Sequence, residues 1–263
     1  MKEKIGLALG SGGWRGLAYI GVIRSMIDHN IAPYCIAGSS MGALIGGLYA
    51  ATGDIDETEK IVLDIRYRDI IRALSDPLAR SGLVKGNAFI RFLRRYLGNI
   101  QIEDLNIKYA AVTSDIISGE TIPLDKGDLV EAIRASISIP FIFSPVFKEE
   151  RILVDGGLTD PVPVDIVRQL GAKKIIGVSV YKGIFPYNPK NKRRIRPIEM
   201  ARVCRFSALS ALAENSLSQA DIAIRPRLEN SDKGLILKMI DNRKAIEAGK
   251  DAADKALDKL SST

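Results

Sequence analysis

The stretch IGLALGSGGWRGLAYIGVIRSMI, residues 5–27, shows how the chain begins to fold. Its first five residues are apolar, and a glycine-rich loop at residues 10–16 follows them directly. Beyond the loop, apolar side chains recur at the spacing of one helix face, at Leu17, Ile20, Ile23, Met26 and Ile27. The stretch therefore predicts a short strand, a glycine loop and a helix in direct succession.

Units of the same kind follow along the chain. Residues 34–37 predict a second strand, which GSSMG at residues 38–42 turns directly into a helix at residues 43–51. Further strands are predicted at residues 108–113, 120–123, 152–154, 174–180 and 222–224. Further helices are predicted at residues 87–96, 128–137, 198–217 and 235–260. Because strands alternate with helices, the sequence predicts an α/β fold with a largely parallel sheet.

Composition and charge indicate one globular domain in a reducing compartment. The chain has 263 residues, of which 46% are hydrophobic, enough to bury a sizeable core in a single domain over residues 1–263. Cys35 and Cys204 are far apart and have no neighbouring His or Cys to complete a metal site, which favours a cytoplasmic setting. The net charge of +7 favours contact with anionic surfaces without distinguishing lipid from nucleic acid.

Neither the amino terminus nor the uncharged stretch at residues 30–53 is predicted to be a membrane-directed segment. The apolar run at residues 5–9 is too short for a signal peptide, and the glycine loop interrupts it. Residues 30–53 carry no Asp, Glu, Lys or Arg and are long enough to cross a bilayer of about 30 Å. Pro33 and five glycines nevertheless divide this stretch into a strand, a turn and a small-residue helix, which predicts a core segment.

The segment at residues 38–42 contains a candidate nucleophile. It fits the pattern Gly-x-Ser-x-Gly, in which Gly38 and Gly42 avoid collisions where a strand reverses sharply into a helix. The turn would raise the hydroxyl of Ser40 above the sheet edge and leave the N–H of Met41 at the helix start to stabilise an oxyanion. Because a glycine-rich packing turn can show the same pattern by chance, the interpretation depends on its context.

A serine nucleophile needs a neighbouring base, and the chain has one histidine. His29 closes the helix that follows the first glycine loop, and at about 1.5 Å per residue it lies roughly 20 Å from that loop. The sequence thus argues against a Ser-His-Asp triad. It predicts that His29 is a solvated or capping residue at a helix carboxyl end.

Asp155 is the candidate base. Residues 152–154 predict a buried strand that delivers Asp155 to a strand end, where Gly156 and Gly157 allow a tight turn. Because ligands gather at strand ends in α/β sheets, Ser40 and Asp155 can converge from distant parts of the chain. The alternative is a carboxylate that only caps an Asx turn. A base that acts near neutral pH must be desolvated or carefully oriented, so a partly apolar, water-poor site is predicted.

The glycine loop at residues 10–16 suits an anion, because glycine lets several main-chain N–H groups point at one oxygen. The anion is either a nucleotide phosphate or the oxyanion that forms when Ser40 attacks a carbonyl. Arg15 stands where the dinucleotide-binding pattern has its third glycine, and no acidic residue follows the second predicted strand to bind a ribose. The loop alone therefore supports NAD binding only weakly.

Three motifs taken together resemble the patatin-like phospholipase family. They are LALGSGGWRG at residues 7–16, GSSMG at residues 38–42 and DGG at residues 155–157, in the family's order. ASISIP at residues 135–140 is similar to a segment that these proteins carry before the Asp-Gly turn, so the resemblance covers residues 5–180. The loop departs from the family's Gly-Gly-Gly-x-Arg-Gly, since Ser11 replaces the first glycine and Trp14 occupies the variable place.

The resemblance implies a three-layer α/β/α fold and a serine hydrolase of lipid esters. It implies a Ser-Asp dyad, carried here onto Ser40 and Asp155, and an oxyanion hole formed by the glycine loop. With the helix start included, the oxyanion donors are the N–H groups of Gly12, Gly13 and Met41. The remaining motif positions are Gly10, Arg15, Gly16, Gly38, Gly42, Gly156 and Gly157. Because the reaction passes through an acyl-enzyme that water hydrolyses, neither a metal ion nor a cofactor is expected.

Two basic features have both a functional and a structural interpretation. Arg15 could orient the glycine loop, meet an anionic head group, or form a salt bridge inside the fold. Residues 181–196 predict a surface loop in which an apolar tip containing Phe185 precedes a basic run containing Arg193 and Arg194. The loop could dock on the inner face of a membrane, or it could simply be solvated.

The sequence leaves two competing classes of function beside the hydrolase. One is a nucleotide-binding oxidoreductase that uses the first glycine loop, and the other is a non-catalytic lipid- or nucleotide-binding protein on the same fold. Neither explains Ser40 and Asp155 together. The expected protein is thus a cytoplasmic lipid acyl hydrolase with a lipid ester and no nucleic acid as its partner, and contact with the inner face of the membrane is one of the two alternatives for residues 181–196.

Overall fold

The structure, a computed structural model, describes residues 3–64, 86–140, 142–182, 197–228 and 242–261. The strands in these ranges are β1 (Ile5–Leu9), β2 (Cys35–Ser39), β3 (Lys108–Asp115), β4 (Thr121–Leu124), β5 (Val146–Lys148), β6 (Arg151–Asp155), β7 (Lys174–Val178) and β8 (Ile222–Ile224). The α-helices are α1 (Ala18–Asp28), α2 (Met41–Thr52), α3 (Ile55–Asp64), α4 (Asn87–Leu97), α5 (Leu129–Ser136), α6 (Val164–Gln169), α7 (Pro197–Leu217) and α8 (Asn242–Ser261). Short 3-10 helices lie at Gly13–Leu17, Ile102–Asp104 and Gly156–Leu158.

These strands form one sheet with the order β5-β6-β3-β2-β1-β7-β8, and β4 pairs with β3 outside this path. The strands β3, β2, β1, β7 and β8 pair in parallel. The pairs β3–β4, β3–β6 and β5–β6 are antiparallel. The predicted α/β class with a mostly parallel sheet is therefore confirmed.

Helices cover both faces of the sheet and complete three layers. One buried apolar cluster joins the sheet to α1, α2, α3, α4, α5 and α8, and a second joins it to α6 and α7. Along β2, Ile36 belongs to the first cluster, whereas Cys35 and Ala37 belong to the second, as the alternation of side chains across a strand requires. Because both faces are covered, β1 and the first four residues of β2 are apolar without a break instead of alternating with polar residues.

The observed elements agree with the predicted ones to within two residues wherever a strand was predicted. The elements without a prediction are α3, β5 and α6. The strand β5 has three residues and α6 has six, too few to produce a periodic pattern. Of the helix predicted at residues 235–260, the structure describes Asn242–Ser261 as α8. Most of the surface loop predicted at residues 181–196 lies outside the described residues.

The uncharged stretch at residues 30–53 forms β2 and α2 and is largely buried, as predicted. Its helix, Met41–Thr52, is followed by Gly53 in a left-handed conformation. Among the helices of the described residues, none combines the length and the apolar character needed to cross a bilayer.

His29 lies at the end of α1, where its Nε2 is 3.0 Å from Oδ1 of Asp258 on α8. This hydrogen bond raises the pKa of His29. His29 shares a surface cleft with Ile5 and Lys174, the first residues of β1 and β7. It is therefore at the amino ends of the parallel strands, whereas Ser40 follows the carboxyl end of β2.

Candidate active site

Ser40 lies at the point where β2 reverses into α2. Its backbone has φ 55° and ψ −115°, a strained conformation for a residue with a side chain. A methyl group at Gly42 would lie 2.2 Å from the carbonyl oxygen of Leu9, and one at Gly38 would lie 2.3 Å from the main chain of Gly42. Since atoms do not approach this closely, only glycine fits at both positions. The Gly-x-Ser-x-Gly segment thus forms a tight strand–turn–helix elbow.

Two strands that share one edge of β3 bring the candidate nucleophile and base together. Val112 of β3 pairs with Ser39, the last residue of the parallel strand β2. The next residue, Thr113, pairs with Asp155, the last residue of the antiparallel strand β6. The other edge of β3 is occupied by β4, which pairs with residues 111–114. The strands β2 and β6 therefore approach each other end to end along the same edge.

The side chains of Ser40 and Asp155 are in direct contact. The hydroxyl of Ser40 donates a hydrogen bond of 2.5 Å to Oδ2 of Asp155, and the N–H of Gly157 donates one of 2.8 Å to Oδ1. Both residues are buried: Ser40 is 4% exposed and Asp155 is 7% exposed. Asp155 thus caps an Asx-type turn and also accepts from the hydroxyl of Ser40, so it does more than cap the turn. The contact has the reach that a nucleophile and its base require.

Burial raises the pKa of Asp155 to about 6, although the hydrogen bonds from Ser40 and Gly157 and the charge of Arg205 act in the opposite direction. A carboxylate with this pKa is a stronger base than a solvated aspartate and is still ionised near neutral pH. The site therefore has the desolvated character that the sequence predicts for an aspartate acting as a base.

Ser136, the last residue of α5, supports the elbow. Its buried hydroxyl accepts a hydrogen bond of 2.9 Å from the N–H of Ser40 and donates one of 2.6 Å to the carbonyl of Val112. The strained main chain of Ser40 is thereby tied to β3. The sequence assigns no role to Ser136, and its only signal is its place in the segment at residues 135–140.

Two further serines hold the main chain of Asp155. The carbonyl of Ser138 accepts from the N–H of Asp155 at 3.0 Å, and the hydroxyl of Ser114 donates to the carbonyl of Asp155 at 3.0 Å. The buried Arg134 in turn donates to the hydroxyl of Ser138 at 2.6 Å, and burial lowers the pKa of this arginine. Such side-chain contacts to the main chain follow no periodicity, so the sequence does not reveal them.

The glycine loop is held at Ser11 and has unused main-chain donors at Gly12 and Gly13. The N–H of Ser11 donates to the carbonyl of Pro161 at 2.8 Å. Gly12 and Gly13 have φ of 154° and 59°, and a methyl group at Gly13 would meet no atom within 4 Å. In the described part of the chain, the N–H groups of Gly12 and Gly13 donate to no acceptor. These two donors are therefore suited to an external oxygen atom.

The glycine loop packs against the start of α2. At Gly10, Gly16, Gly156 and Gly157, a methyl group would lie within 3 Å of another atom. At Gly16 the atom is in the side chain of Met41, the first residue of α2, at 2.4 Å. A methyl group at Gly42 would also lie 2.6 Å from the carbonyl oxygen of Gly10. The structure thus brings the glycine loop and the elbow together.

Arg15 is buried inside the fold instead of being presented to an anionic head group. It is 6% exposed, and its Nη1 donates to the carbonyl of Leu228 at 3.4 Å. The guanidinium lies 5.5 Å from the centroid of the Trp14 ring, and burial lowers its pKa. Of the interpretations that the sequence leaves open, this burial argues against contact with an anionic head group.

Tyr181 is a contact of the glycine loop that the sequence does not single out. Its buried hydroxyl lies 2.6 Å from the hydroxyl of Ser11, and the hydroxyl of Tyr19 donates to the carbonyl of Ser11 at 3.2 Å. Burial and the charge of Asp155 raise the pKa of Tyr181 to about 12, while the hydrogen bond with Ser11 opposes this shift. The protonated phenol therefore holds Ser11, the residue that departs from the family's glycine.

We expect Ser11→Gly and Tyr181→Phe to affect the free energy of unfolding non-additively. Each single change leaves one buried hydroxyl without its partner, at a cost of about 1–3 kcal/mol, whereas the double variant removes both hydroxyls. Urea denaturation should therefore show a double variant that is more stable than the sum of the single effects predicts, by about 1 kcal/mol or more. Tyr19→Phe is the control. The hydroxyl of Tyr19 donates to the main-chain carbonyl of residue 11, which Ser11→Gly retains, so the effects of these two changes should add. Additive effects for Ser11 and Tyr181 would contradict the coupling.

The remaining predictions about binding residues concern membrane contact and metal ions. Phe185, Arg193 and Arg194, for which membrane contact is predicted, lie outside the described residues. Within the ranges that the structure describes, no group of three or more His, Cys, Asp or Glu residues is arranged to hold a metal ion.

Comparison with known proteins identifies relatives over the part of the chain that carries the motifs. A family model described as patatin-like phospholipase matches residues 7–168. An uncharacterized NTE family protein of Mycobacterium tuberculosis is 38% identical over 177 residues, which cover 67% of this chain and 49% of that protein. The patatin-like phospholipase domain-containing protein 6 of Homo sapiens is 31% identical over 186 residues, which cover 67% of this chain and 13% of that protein.

The chain spans about half the length of the first of these relatives and a smaller share of the second. Among solved structures, VipD from Legionella pneumophila superposes with a TM-score of 0.57 at 12% sequence identity. The superposition covers 98% of this chain and 67% of that one. At this identity the likeness concerns the fold.

Proposed function

Because this chain belongs to the patatin-like phospholipase family, we propose that it is a serine lipid acyl hydrolase with Ser40 as nucleophile and Asp155 as base. The observation that carries the proposal is the 2.5 Å hydrogen bond from the hydroxyl of Ser40 to the buried carboxylate of Asp155. A serine placed on a strained elbow and bonded to a desolvated base is the arrangement expected of an activated nucleophile. Carboxylic esters of lipids are the substrate class.

In the first half of the reaction, Ser40 becomes acylated. Asp155 accepts the hydroxyl proton while Oγ of Ser40 bonds to the ester carbonyl carbon, and one carbonyl electron pair moves onto the oxygen. The N–H groups of Gly12, Gly13 and Met41 stabilise the resulting oxyanion. The carbonyl then re-forms, the bond to the leaving alcohol breaks, and the alcohol takes the proton from Asp155.

In the second half, water releases the acyl group. Asp155 accepts a proton from water as the water oxygen attacks the acyl carbonyl carbon, and the same N–H groups stabilise the second oxyanion. When this intermediate collapses, the bond to Oγ of Ser40 breaks and Ser40 recovers the proton from Asp155. A fatty acid leaves, and the site returns to its starting state.

The pH dependence of hydrolysis follows from the pKa of Asp155. Because the base must be ionised and burial raises its pKa to about 6, kcat/KM should fall about tenfold per pH unit below pH 6 and level off above pH 7. The measurement is kcat/KM for a water-soluble ester between pH 4.5 and 8.5. A plateau that extends down to pH 5, as a solvated aspartate would give, would contradict the assignment.

A substrate series tests the proposed activity. We expect release of fatty acid from p-nitrophenyl esters of increasing acyl length and from phosphatidylcholine or lysophosphatidylcholine. A folded protein that binds these lipids without releasing fatty acid would instead be a non-catalytic lipid-binding protein. A fluorescence titration with NAD and NADP should show no change. Measurable affinity would instead support nucleotide binding by the glycine loop.

A further inference from the structure

The three most exposed large apolar side chains of the described residues lie on two hairpins. Ile116 and Ile117, in the turn between β3 and β4, are 56% and 64% exposed, and Phe147 of β5 is 73% exposed. No other large apolar residue in the described ranges is more than 47% exposed. Single apolar residues scattered over a surface are normal, but these three lie on neighbouring hairpins, two in a turn and Phe147 in the edge strand β5.

The two hairpins are joined, so these side chains belong to one surface. Phe147 pairs with Ile152 across the β5–β6 hairpin, and the N–H of Ile116 donates to the carbonyl of Ile152 at 3.0 Å. We call the surface formed by Ile116, Ile117 and Phe147 the hairpin patch. Ile152 is the point at which its two hairpins meet.

The hairpin patch lies at the end of the sheet that carries the candidate active site. The strand β3 runs alongside β2 as far as Val112 and then continues to Asp115, so its turn projects beyond the level of Ser40. Along β6, Ile152 precedes Asp155 by three residues, a distance of about 10 Å in an extended strand. A flat surface resting on the hairpin patch would therefore face the end of the sheet where Ser40 and Asp155 meet.

The charged residues beside the hairpin patch carry no excess of positive charge, since Asp115 and Glu120 flank the β3–β4 turn and the β5–β6 hairpin adds two residues of each sign. Lys148 and Arg151 pair across the β5–β6 hairpin, and Glu149 and Glu150 form the turn between them. All four residues are exposed. Contact through the hairpin patch would therefore depend on burying apolar side chains and not on attraction to anionic groups, in contrast to contact through the basic run at residues 190–196.

We propose that the hairpin patch docks the protein on a lipid surface from which the candidate active site takes its ester, an inference that rests on the proposed hydrolase function. A lipid surface fits the observations better than a second copy of the chain. Three partly exposed side chains offer roughly 300–400 Å² of apolar area, whereas a stable protein interface buries about 800 Å² on each partner. The edge strand β5 is also too short, and too closely flanked by charges, for strand pairing.

Vesicle binding by the full chain tests the docking surface. Phe147→Ser and Ile117→Ser should each weaken sedimentation with phosphatidylcholine vesicles about tenfold. Wild-type binding should change less than about twofold between low and high salt, because neutral vesicles and a patch without excess positive charge leave no attraction for salt to screen. Ile27→Ser is the matched control: it removes another exposed isoleucine, 42% exposed at the far end of α1, and should bind as the wild type does.

A comparison of substrates separates docking from catalysis. For Phe147→Ser, the ratio of hydrolysis on phosphatidylcholine vesicles to hydrolysis of a monomeric short-chain ester should fall about tenfold. The proposal is overturned if the wild type does not bind neutral vesicles, if the variants bind as the wild type does, or if both activities fall together. It is also overturned if Phe147→Ser dissociates a dimer without changing vesicle binding. A wild type that binds vesicles through the hairpin patch but hydrolyses no ester would overturn the hydrolase function and leave the docking surface standing.

Discussion

Replacing Asp155 with Asn is expected to lower kcat/KM by about 10²-fold to 10⁴-fold, the range for losing a general base. The amide has the shape of the carboxylate and can still accept from the N–H of Gly157, but it cannot take the proton of Ser40. Hydrolysis of a soluble ester at pH 8, where the wild-type carboxylate is ionised, measures the effect. A loss of less than tenfold would show that another group accepts the proton.

The same replacement should stabilise the folded protein above pH 6. Because the folded-state pKa of Asp155 is about 6 and its unfolded value is about 3.9, the folded state binds this proton more tightly. Ionisation of Asp155 therefore lowers the free energy of unfolding. The loss is negligible below pH 4 and reaches roughly 3 kcal/mol above pH 6. Asparagine avoids this cost. The stability of Asp155→Asn relative to the wild type should thus rise between pH 4 and 6 and then level off.

Asp160 provides a matched control for both effects. Burial also raises the pKa of this residue to about 6, and its carbonyl accepts from the hydroxyl of Ser39. Asp160→Asn should therefore gain stability above pH 6 as Asp155→Asn does, but keep its activity to within about threefold. If Asp155→Asn and Asp160→Asn lost activity equally, the cause would be a structural effect of removing a carboxylate charge from this turn. It would not be the loss of a proton acceptor.

Replacing Ser40 with Ala is expected to lower kcat by about 10⁵-fold or more, since no acyl-enzyme can form. The change keeps the side-chain carbon at the elbow and removes the one donor to Oδ2 of Asp155 that the structure describes. The pKa of Asp155 should therefore rise above its wild-type value of about 6. The loss is measured as fatty acid release under conditions in which the wild type is saturated.

Ser39 is the control for this change, because it is the adjacent serine of the same motif. Its hydroxyl donates to the carbonyl of Asp160 at 2.6 Å, and the residue is fully buried. Ser39→Ala should lose some stability, about 1 kcal/mol, and retain activity to within about tenfold. A loss as large as that of Ser40→Ala would mean that the elbow as a whole, and not the hydroxyl of Ser40, determines activity.

The sequence predicts the central part of the fold because its signals there are local. Residues 5–27 and 34–51 contain apolar runs broken by glycines, and these appear as strand, loop and helix close to the expected positions. The convergence of Ser40 and Asp155 at two strand ends is also expected, but the sequence does not predict the direction of the second strand. Asp155 ends an antiparallel strand that meets β2 along β3, and pairing across β3 cannot be read from the residues of β6 alone.

The supporting residues of the site are not predictable in the same way. Ser136 and Tyr181 act through single hydroxyl contacts to Ser40 and Ser11, which lie 96 and 170 residues away in the chain. No periodicity or local motif marks a residue whose role rests on long-range hydrogen bonds of its hydroxyl. The hairpin patch is hidden for a related reason: Ile116, Ile117 and Phe147 have core-like side chains, and only the turns of β3–β4 and the edge position of β5 expose them.

The most direct test of the Ser40–Asp155 assignment is labelling with a fluorophosphonate probe, followed by mass analysis of the modified peptide. We expect one probe per molecule on the peptide that contains Ser40, no labelling of Ser40→Ala, and labelling of Asp155→Asn at least about 10²-fold slower than that of the wild type. Folded wild-type protein that takes up no probe, or probe that still attaches to Ser40→Ala at the wild-type rate, would contradict the assignment of Ser40 as the nucleophile.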